Sequence, residues 1–347
     1  MLKRLTIENF RGYERLETPE LTRFNIVGGE NDVGKSSFLE AVFLLSGMGR
    51  SDIVTYLNRG RGMKAARGDD LLSVFHGQDV HRAVKVTGAF ENAIIREVKL
   101  TGRVPGEREF REYVEANGAG DARLTPTLVQ SFRLTEGGKE VEVGDLPLLV
   151  DGKGKLRKFS RTGMLHRWPC IYVPARTCLT GILHLEEMVN RKRLGALVKV
   201  LHAIDPRIED LTVNGDKIMV DVGLPGTLLP LQALGDGVVR TVDVLATADA
   251  CRGGTVCIDE IENGLHHTAM RTFWRALLQF AHEGDVQVIA STHNLELMQS
   301  IAKETEEVEN GDLTYIRLVR RQDDDIVAAK LRGASYKAQL EEGVELR

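Results

Sequence analysis

The sequence lacks the features that mark several classes of protein. Its four cysteines, Cys170, Cys178, Cys251 and Cys257, form no C-x-x-C pair and have no histidine partner at zinc-finger spacing, which argues against a disulfide framework or structural zinc. No apolar run reaches the ~18 residues of a membrane-spanning helix. Internal repeats, low-complexity tracts and long heptad runs are also missing. This pattern argues against a coiled-coil arm and predicts reduced, mostly buried thiols.

An excess of basic charge is missing as well. The 347-residue chain has a formal net charge of −4 at pH 7, so no overall basic field draws it to nucleic acid or to an anionic membrane. A local basic patch is still compatible with this balance. The first residues, MLKRLTIENF, have the pattern of a strand rather than of a signal peptide. We therefore expect a cytoplasmic protein, built as one large domain with an insertion or as two modest domains.

The distribution of apolar residues predicts an α/β fold. Residues 2–10 and 24–28 have strand patterns, and SSFLEAVFLLSG is typical of a mostly apolar helix that is covered on several sides. From Leu231 onward, helices alternate with buried strands, which indicates a parallel sheet. Between Gly47 and Pro169, short β-like runs alternate with turn signals. We therefore predict a mixed or parallel sheet core from residues 1–46 and 170–347, with an antiparallel β-rich lobe inserted at residues 47–169.

Shorter patterns complete this expectation. IYVPAR, at residues 171–176, reads as a strand that returns to the core, and residues 183–204 have helical spacing. Residues 208–223 indicate a hairpin that turns at Asn214-Gly215. The segment LTYIRLVRRQDDDIVAAKL predicts a second hairpin with an acidic turn, followed by a short closing helix.

A glycine-rich loop stands between the second strand and the first helix. GGENDVGKSS matches G-x-x-x-x-G-K-[ST] at the required place, after a strand and at a helix start. Its backbone amides and the helix dipole favour a phosphate, Lys35 reaches the outer phosphates, and Ser36 is the expected Mg²⁺ ligand. The predicted nucleotide-binding residues of this loop are Gly29, Glu30, Asn31, Asp32, Val33, Gly34, Lys35, Ser36 and Ser37.

Two further strand ends carry candidate catalytic residues. In GTVCIDEIENGLHH, a buried strand ends at Asp259 and Glu260. Asp259 would help to bind the metal ion, and Glu260 would polarise an attacking water. DVQVIASTHNLELM brings Thr292 and His293 to the same edge, where ligands of parallel sheets bind. We predict that His293 senses the γ-phosphate; the alternative is a structural histidine.

The stretch LQALGDGVVRTVDVLATA opens an apolar helix with a glycine-flanked acid. Asp236 is a candidate helix cap, while Gly235 and Gly237 allow close backbone approach by a phosphate of another molecule. An ordinary capped turn is the alternative interpretation.

Along the chain the four motifs follow the order phosphate loop, glycine signature (Gly235 to Gly237), acid pair (Asp259 and Glu260) and His293. In that order they resemble the ABC-type ATPase heads of the RecF/SMC/OLD group, in particular the stand-alone RecF-like AAA family ATP-binding proteins of bacterial anti-phage systems. The resemblance covers residues 1–46 and about 170–347. LKRLTIENFRGYERLE is similar to the opening strand of that group, which implies that Arg11 lies near the nucleotide. Only about fifty residues follow His293, too few for the nuclease domain that OLD proteins add.

The resemblance implies a Mg²⁺-dependent ATPase that hydrolyses ATP slowly. Lys35 and Ser36 would bind phosphate and Mg²⁺, Asp259 would complete the metal site, Glu260 would act as hydrolytic base, and His293 as switch. Two heads would pair head-to-tail as a homodimer, each lending its glycine signature to the other's nucleotide. A separate effector, a nuclease or toxin encoded nearby, would supply any downstream activity.

The sequence departs from that group at the signature, where Gly235 replaces a serine, and after the acid pair, where His266 replaces an aspartate. Gln78 is the candidate for the glutamine loop. A DNA-binding clamp of the RecF or SMC kind is the alternative function, because basic stretches occur at residues 59–68 and 152–161. A transporter subunit is disfavoured by the β-rich insertion.

Overall fold

The computed structural model describes residues 1–48, 50, 52–63, 72–102, 125–150, 168–175, 182–214, 217–294, 312–322 and 324–331. These residues form two six-stranded sheets and one three-stranded sheet. The strands, in chain order, are β1 (Leu2–Phe10), β2 (Tyr13–Glu17), β3 (Phe24–Gly29), β4 (Val84–Phe90), β5 (Ile94–Thr101), β6 (Thr125–Glu136), β7 (Lys139–Val150), β8 (Cys170–Val173), β9 (Asp210–Asn214), β10 (Lys217–Asp221), β11 (Leu229–Pro230), β12 (Thr255–Ile258), β13 (Gln287–Ser291), β14 (Leu313–Arg320) and β15 (Ile326–Leu331). The helices are α1 (Lys35–Ser46), α2 (Ile53–Gly60), α3 (Ile182–Asn190), α4 (Leu194–Ile204), α5 (Asp236–Ala250) and α6 (His267–Gly284).

The core sheet has the strand order β15-β14-β3-β13-β12-β8. All its neighbouring strands are parallel except the edge pair β14 and β15. Every residue of β3, β12 and β13 is buried, because both faces of the sheet are covered. This explains why their sequences are almost continuously apolar rather than alternating. The predicted mixed sheet core is confirmed.

The two faces of this sheet pack against different helices. Val256 and Ile258 of β12 belong to one apolar cluster with buried residues of α5 and α6. Cys257, between them, belongs to a second cluster that contains the apolar side of α1. Since successive strand residues point to opposite faces, α1 lies on one side of the core sheet, and α5 and α6 lie on the other.

The antiparallel sheet has the order β2-β1-β4-β5-β6-β7. Leu2 pairs with Phe90 and Glu8 with Lys85, so the strands from the predicted insertion continue a sheet that β1 and β2 begin. Apolar residues of β1, β4 and β5 share the second cluster with α1. Helix α1 is therefore enclosed between the two sheets, and its residues 37–45 are all buried. The division into core and inserted lobe stays a prediction, but the lobe is continuous with the first strands.

The shorter expectations have mixed outcomes. The helical spacing at residues 183–204 belongs to two helices, α3 and α4, separated where Lys192 adopts a φ of 56°. The strands β9 and β10 pair as a hairpin, and β14 and β15 form the second one. Cys170, Cys251 and Cys257 are free thiols. Cys178, the residues of the first hairpin's turn and the expected closing helix lie outside the described residues.

Within the part of the chain that the structure describes, no helix is long and apolar enough to cross a membrane.

Candidate functional site

The phosphate loop connects β3 to α1, and two glycines allow its path. Gly29 has φ 142° and Gly34 has φ 88°, values in the region that favours glycine. A Cβ on Gly29 would lie 2.5 Å from the backbone oxygen of Leu318, and one on Gly34 would lie 2.9 Å from the hydroxyl of Tyr13. The loop thus needs glycine at both positions, for conformation and for space.

Contacts from other elements hold the loop in place. The Tyr13 hydroxyl donates to the backbone oxygen of Gly34 at 2.7 Å, and the Arg320 guanidinium donates to the backbone oxygen of Asp32 at 2.8 Å. Helix α1 begins at Lys35 without a side-chain cap. Its first-turn amides and the positive end of its dipole are therefore available to an anion.

Lys35 lies across this loop. Its Nζ donates to the backbone oxygens of Gly29 at 2.9 Å and Glu30 at 2.7 Å. Partial burial lowers the pKa of Lys35, and the carboxylates of Asp259, Glu260 and Glu262 act against that change. Three carboxylates near one ammonium group make the surroundings of a bound triphosphate strongly negative, so a divalent cation would be needed to balance them.

Asp259 follows β12 directly and is the most constrained acid of the site. Its Oδ1 accepts from the hydroxyl of Ser36 at 3.1 Å and from that of Ser291 at 2.6 Å. Its Oδ2 accepts from the hydroxyl of Tyr172 at 3.1 Å. Burial, reinforced by the neighbouring charge of Asp259, raises the pKa of Tyr172, so this phenol stays a donor. Three hydroxyls thus orient one buried carboxylate.

These oxygens fit a magnesium ion. A serine hydroxyl and a carboxylate oxygen lie side by side, and Mg²⁺ prefers one or two such protein ligands together with waters and phosphate oxygens. No group of three or more His, Cys, Asp or Glu that could cage a metal occurs within the described residues. Ser36 and Asp259 would leave the other coordination positions of the ion to waters and phosphate oxygens.

Glu260 adopts an unusual backbone conformation. Its φ is 45°, in the left-handed region, which costs on the order of 1–3 kcal/mol for a non-glycine residue. Its N–H donates to the hydroxyl of Ser291 at 2.8 Å. Its Oε2 accepts from the amide of Asn263 at 2.6 Å, and the same amide donates to the backbone oxygen of Ala175 at 3.1 Å. The turn and the amide together orient the carboxylate.

The end of β13 brings His293 to the same edge. Strand β13 lies between β3 and β12, and the N–H of Thr292 donates to the backbone oxygen of Val27 at 3.1 Å. The side chain of His293 is 50% exposed. Its N–H donates to Oε1 of Glu262 at 2.9 Å. The structure thus gathers the phosphate loop, the acid pair and His293 at the carboxyl ends of three adjacent strands; their roles stay predictions.

The signature stretch is exposed at the start of α5. Gly235 occupies the N-cap position and Asp236 is the first helical residue, so the suggested capping role of Asp236 is wrong. A Cβ on Gly237 would lie 2.7 Å from the backbone oxygen of Gly264, so the signature packs closely on the loop after the acid pair. In that loop, His266 caps α6 through Thr268. Exposure at a helix N-terminus suits contact with another molecule.

Arg240 joins the signature helix to the acid pair, a contact the sequence analysis missed. It is 1% exposed, and it donates to the backbone oxygens of Pro174 at 2.8 Å and Asp259 at 2.6 Å. Burial lowers the pKa of Arg240, with nearby acids, Asp243 first, opposing that change. An arginine within the apolar run GVVRTVDVLATA was the available signal for such a role.

Arg11 lies in a buried ionic network. It is 8% exposed, and its Nε lies 3.1 Å from Oε2 of Glu40. Its Nη2 donates to the side chain of Asn58 at 2.8 Å. Burial lowers the pKa of Arg11, and Glu40 opposes this. A nucleotide contact by Arg11 stays a prediction, and it would require the guanidinium to leave these partners.

Arg61 is the arginine beside the phosphate loop. Its Nε donates to Oε1 of Glu40 at 2.7 Å and its Nη2 to the hydroxyl of Ser37 at 2.9 Å, while its side chain is 36% exposed. It belongs to a stretch that the sequence analysis treated as a possible DNA contact. Residues 64–68 of that stretch lie outside the described residues. Gln78 is exposed in a 3₁₀ turn, and its glutamine-loop role stays a prediction.

Two family models match the chain. Residues 1–132 match the model described as "AAA ATPase domain", and residues 185–299 match the one described as "AAA domain, putative AbiEii toxin, Type IV TA system". A curated "ATP/GTP phosphatase" of Helicobacter pylori (strain ATCC 700392 / 26695) is 20% identical over 366 residues, which span 98% of each chain.

The fold is also similar to solved structures. The Smc head domain derived from Pyrococcus furiosus, bound to the C-terminal domain of ScpA, matches with a TM-score of 0.50 and 13% identity over 98% of each chain. The SMC head domain from Thermotoga maritima matches with a TM-score of 0.44 and 12% identity over 95% of this chain and 99% of that one.

The chain therefore has the fold of a RecF/SMC-like ABC ATPase head, and the matched models and relative support ATP hydrolysis. Two observations lead to this conclusion: the matched ATPase models and a phosphate loop that connects β3, a central strand of the mixed core sheet, to α1. The predicted fold class and family resemblance are confirmed.

We expect Arg11→Ala to lower the free energy of unfolding by about 3 kcal/mol. This is the low end for breaking a buried ion pair, because Arg61 still faces Glu40. The matched control is Arg15→Ala, whose side chain is 62% exposed and whose loss should change stability little. Urea unfolding of both variants measures the difference; equal stability of the two would show that the Arg11 pair does not stabilise the fold.

Proposed function

We propose that the protein binds ATP with Mg²⁺, hydrolyses it slowly, and acts as an ATP-dependent dimeric switch that regulates a partner effector. One observation carries this proposal: the hydroxyl of Ser36, on the phosphate loop, lies 3.1 Å from the Asp259 carboxylate. A loop built for phosphate and an acid suited to its metal thus share one site.

Each residue has a chemical task in this reaction. Lys35 and the loop amides bind the β- and γ-phosphates, and Ser36 and Asp259 would hold Mg²⁺, which would neutralise phosphate charge. Glu260 accepts a proton as a water oxygen bonds to the γ-phosphorus. The bond from that phosphorus to the β–γ bridging oxygen breaks, which releases ADP and inorganic phosphate. His293 donates a hydrogen bond to the γ-phosphate.

The switch follows from the exposed signature. Gly235 and Asp236 stand at the N-terminus of α5 and present backbone amides to the nucleotide of a second copy, which would close a head-to-tail dimer. The signature offers no serine hydroxyl, so the closed state depends on main-chain donors. ATP binding and release then shift the population between closed and open dimers.

The comparisons support an effector partner. One matched family model is described as a putative AbiEii toxin of a type IV TA system, which connects the family to such systems without naming a partner, and the similar Pyrococcus head was solved with the C-terminal domain of ScpA bound. The Helicobacter relative is named for action on ATP and GTP. We propose by analogy that this chain hydrolyses a nucleoside triphosphate and regulates a separate protein, in anti-phage defence or DNA repair.

Lys35→Ala should weaken ATP binding by about two orders of magnitude, because charge-assisted hydrogen bonds contribute roughly 1.5–3 kcal/mol each. Isothermal titration calorimetry with Mg²⁺-ATP measures this affinity. Lys199→Ala, which removes an exposed lysine of α4, is the matched control. Normal affinity in the Lys35 variant would remove the phosphate-loop assignment.

Glu260→Gln should slow hydrolysis by about 10²- to 10⁴-fold, the usual contribution of a general base. ATP binding should persist, and the dimer should accumulate in light-scattering measurements with ATP. Glu186→Gln, which changes an exposed acid of α3, should behave like the unchanged protein. Unaltered turnover in the Glu260 variant would mean that another group activates the water.

The DNA clamp is the alternative prediction. Of its two basic stretches, residues 152–161 lie outside the described residues. Duplex DNA binding can be measured by fluorescence anisotropy across a salt series, with and without ATP. ATP-stimulated binding that weakens steeply with salt would favour the clamp, while no binding at low salt would favour the protein-regulating switch.

A further inference from the structure

Glu262 makes a contact that the proposed chemistry does not use. Its Oε1 accepts from the backbone N–H of His293 at 2.9 Å and lies 3.1 Å from Nδ1 of the same residue. Glu262 is 6% exposed, whereas half of the His293 side chain is exposed. A buried carboxylate oxygen therefore accepts from the backbone of a solvent-facing histidine and lies within 3.1 Å of its ring nitrogen.

The loop after β12 fixes the position of Glu262. The N–H of Ile261 donates to the backbone oxygen of Ser291 at 3.0 Å, and the N–H of Leu265 donates to the backbone oxygen of Glu262 at 2.9 Å. Strands β12 and β13 are paired neighbours. Glu262 and His293 thus follow two adjacent strands, and backbone hydrogen bonds hold the loop that carries Glu262.

The second carboxylate oxygen of Glu262 also has unusual surroundings. Oε2 is buried and has no hydrogen-bond partner among the described residues. A buried acceptor without a partner costs about 1–3 kcal/mol, so the carboxylate is not placed there for stability alone. The charges of Lys35 and Arg240 interact with Glu262.

We propose that Glu262 is a positioning residue for His293. By accepting at Nδ1, it makes Nδ1 the protonated nitrogen of the neutral ring and turns Nε2 outward. Nε2 is then the nitrogen that meets the γ-phosphate, and it donates once the ring is protonated. This inference rests on the proposed ATPase function only for its catalytic consequence; the tautomer and ring orientation are properties of the nucleotide-free protein.

The first experiment reads the tautomer directly. Protein with ¹⁵N-labelled histidine is examined by NMR without nucleotide, at alkaline pH where the ring is neutral, and the His293 signals are assigned by their loss in His293→Gln. We expect a protonated Nδ1 in the unchanged protein and in Glu262→Gln, which keeps an acceptor oxygen. Glu262→Ala should shift the population toward a protonated Nε2, the form that an unconstrained histidine prefers.

Control variants test whether a change in the His293 signals is specific to the loss of Glu262. Glu186→Ala removes an exposed acid elsewhere and should leave the His293 signals unchanged. Thermal unfolding checks that Glu262→Ala folds, and Glu262→Gln keeps the test available if it does not. A protonated Nε2 in the unchanged protein, or the same tautomer in Glu262→Ala, would overturn the proposal.

The second experiment measures hydrolysis. Glu262→Ala should lower kcat about tenfold with less than about a threefold change in ATP affinity, Glu262→Gln should retain most activity, and Glu262→Ala in His293→Gln should cost nothing further. A double variant much slower than His293→Gln would show that Glu262 acts by itself. Absence of hydrolysis in the unchanged protein would contradict the proposed function. The tautomer measurement would still decide whether Glu262 positions the ring of His293.

Discussion

A single buried carboxylate, that of Asp259, is the constraint on which the rest of the site depends. Its two oxygens accept from three hydroxyls, those of Ser36, Tyr172 and Ser291, which come from α1, β8 and β13. Because a buried charge is costly unless it is fully compensated, these elements must keep their mutual positions. The same requirement aligns the phosphate loop with the acid pair, so the interactions that stabilise the core also set the geometry of the site.

Helix α1 links this site to the rest of the fold. It is enclosed between the core sheet and the antiparallel sheet, so most of its side chains are apolar, and only its first turn reaches the site. Its one buried acid, Glu40, is neutralised by Arg11 and Arg61. Arg61 also donates to Ser37, which connects the buried network to the edge of the phosphate loop. Burial of α1 thereby orients the amides that an anion would meet.

Much of the fold could be predicted from local patterns, because apolar runs of strand length and a mostly apolar helix can be recognised in the sequence alone. The loop between β3 and α1, and the acids after β12, were recognisable because their spacing is local. Contacts between segments that are far apart in the sequence could not be recognised in this way. No local pattern indicates the partners of Tyr172, Ser291 and Glu262. Arg61 was read as part of a basic surface stretch, whereas the fold places it beside Glu40. The pairing of β1 with β4 was likewise hidden, because strand partners are chosen by long-range register.

The sequence by itself determined the class of chemistry: glycines where the backbone must take positive φ, a lysine and serine at a helix start, and acids at the end of a buried strand. Tertiary structure alone decided which groups restrain them, because hydrogen bonds across 31 to 223 residues exist only after the sheet has assembled. The physical reason is that local conformation depends on neighbouring residues, whereas the orientation of a buried charge depends on every element that encloses it.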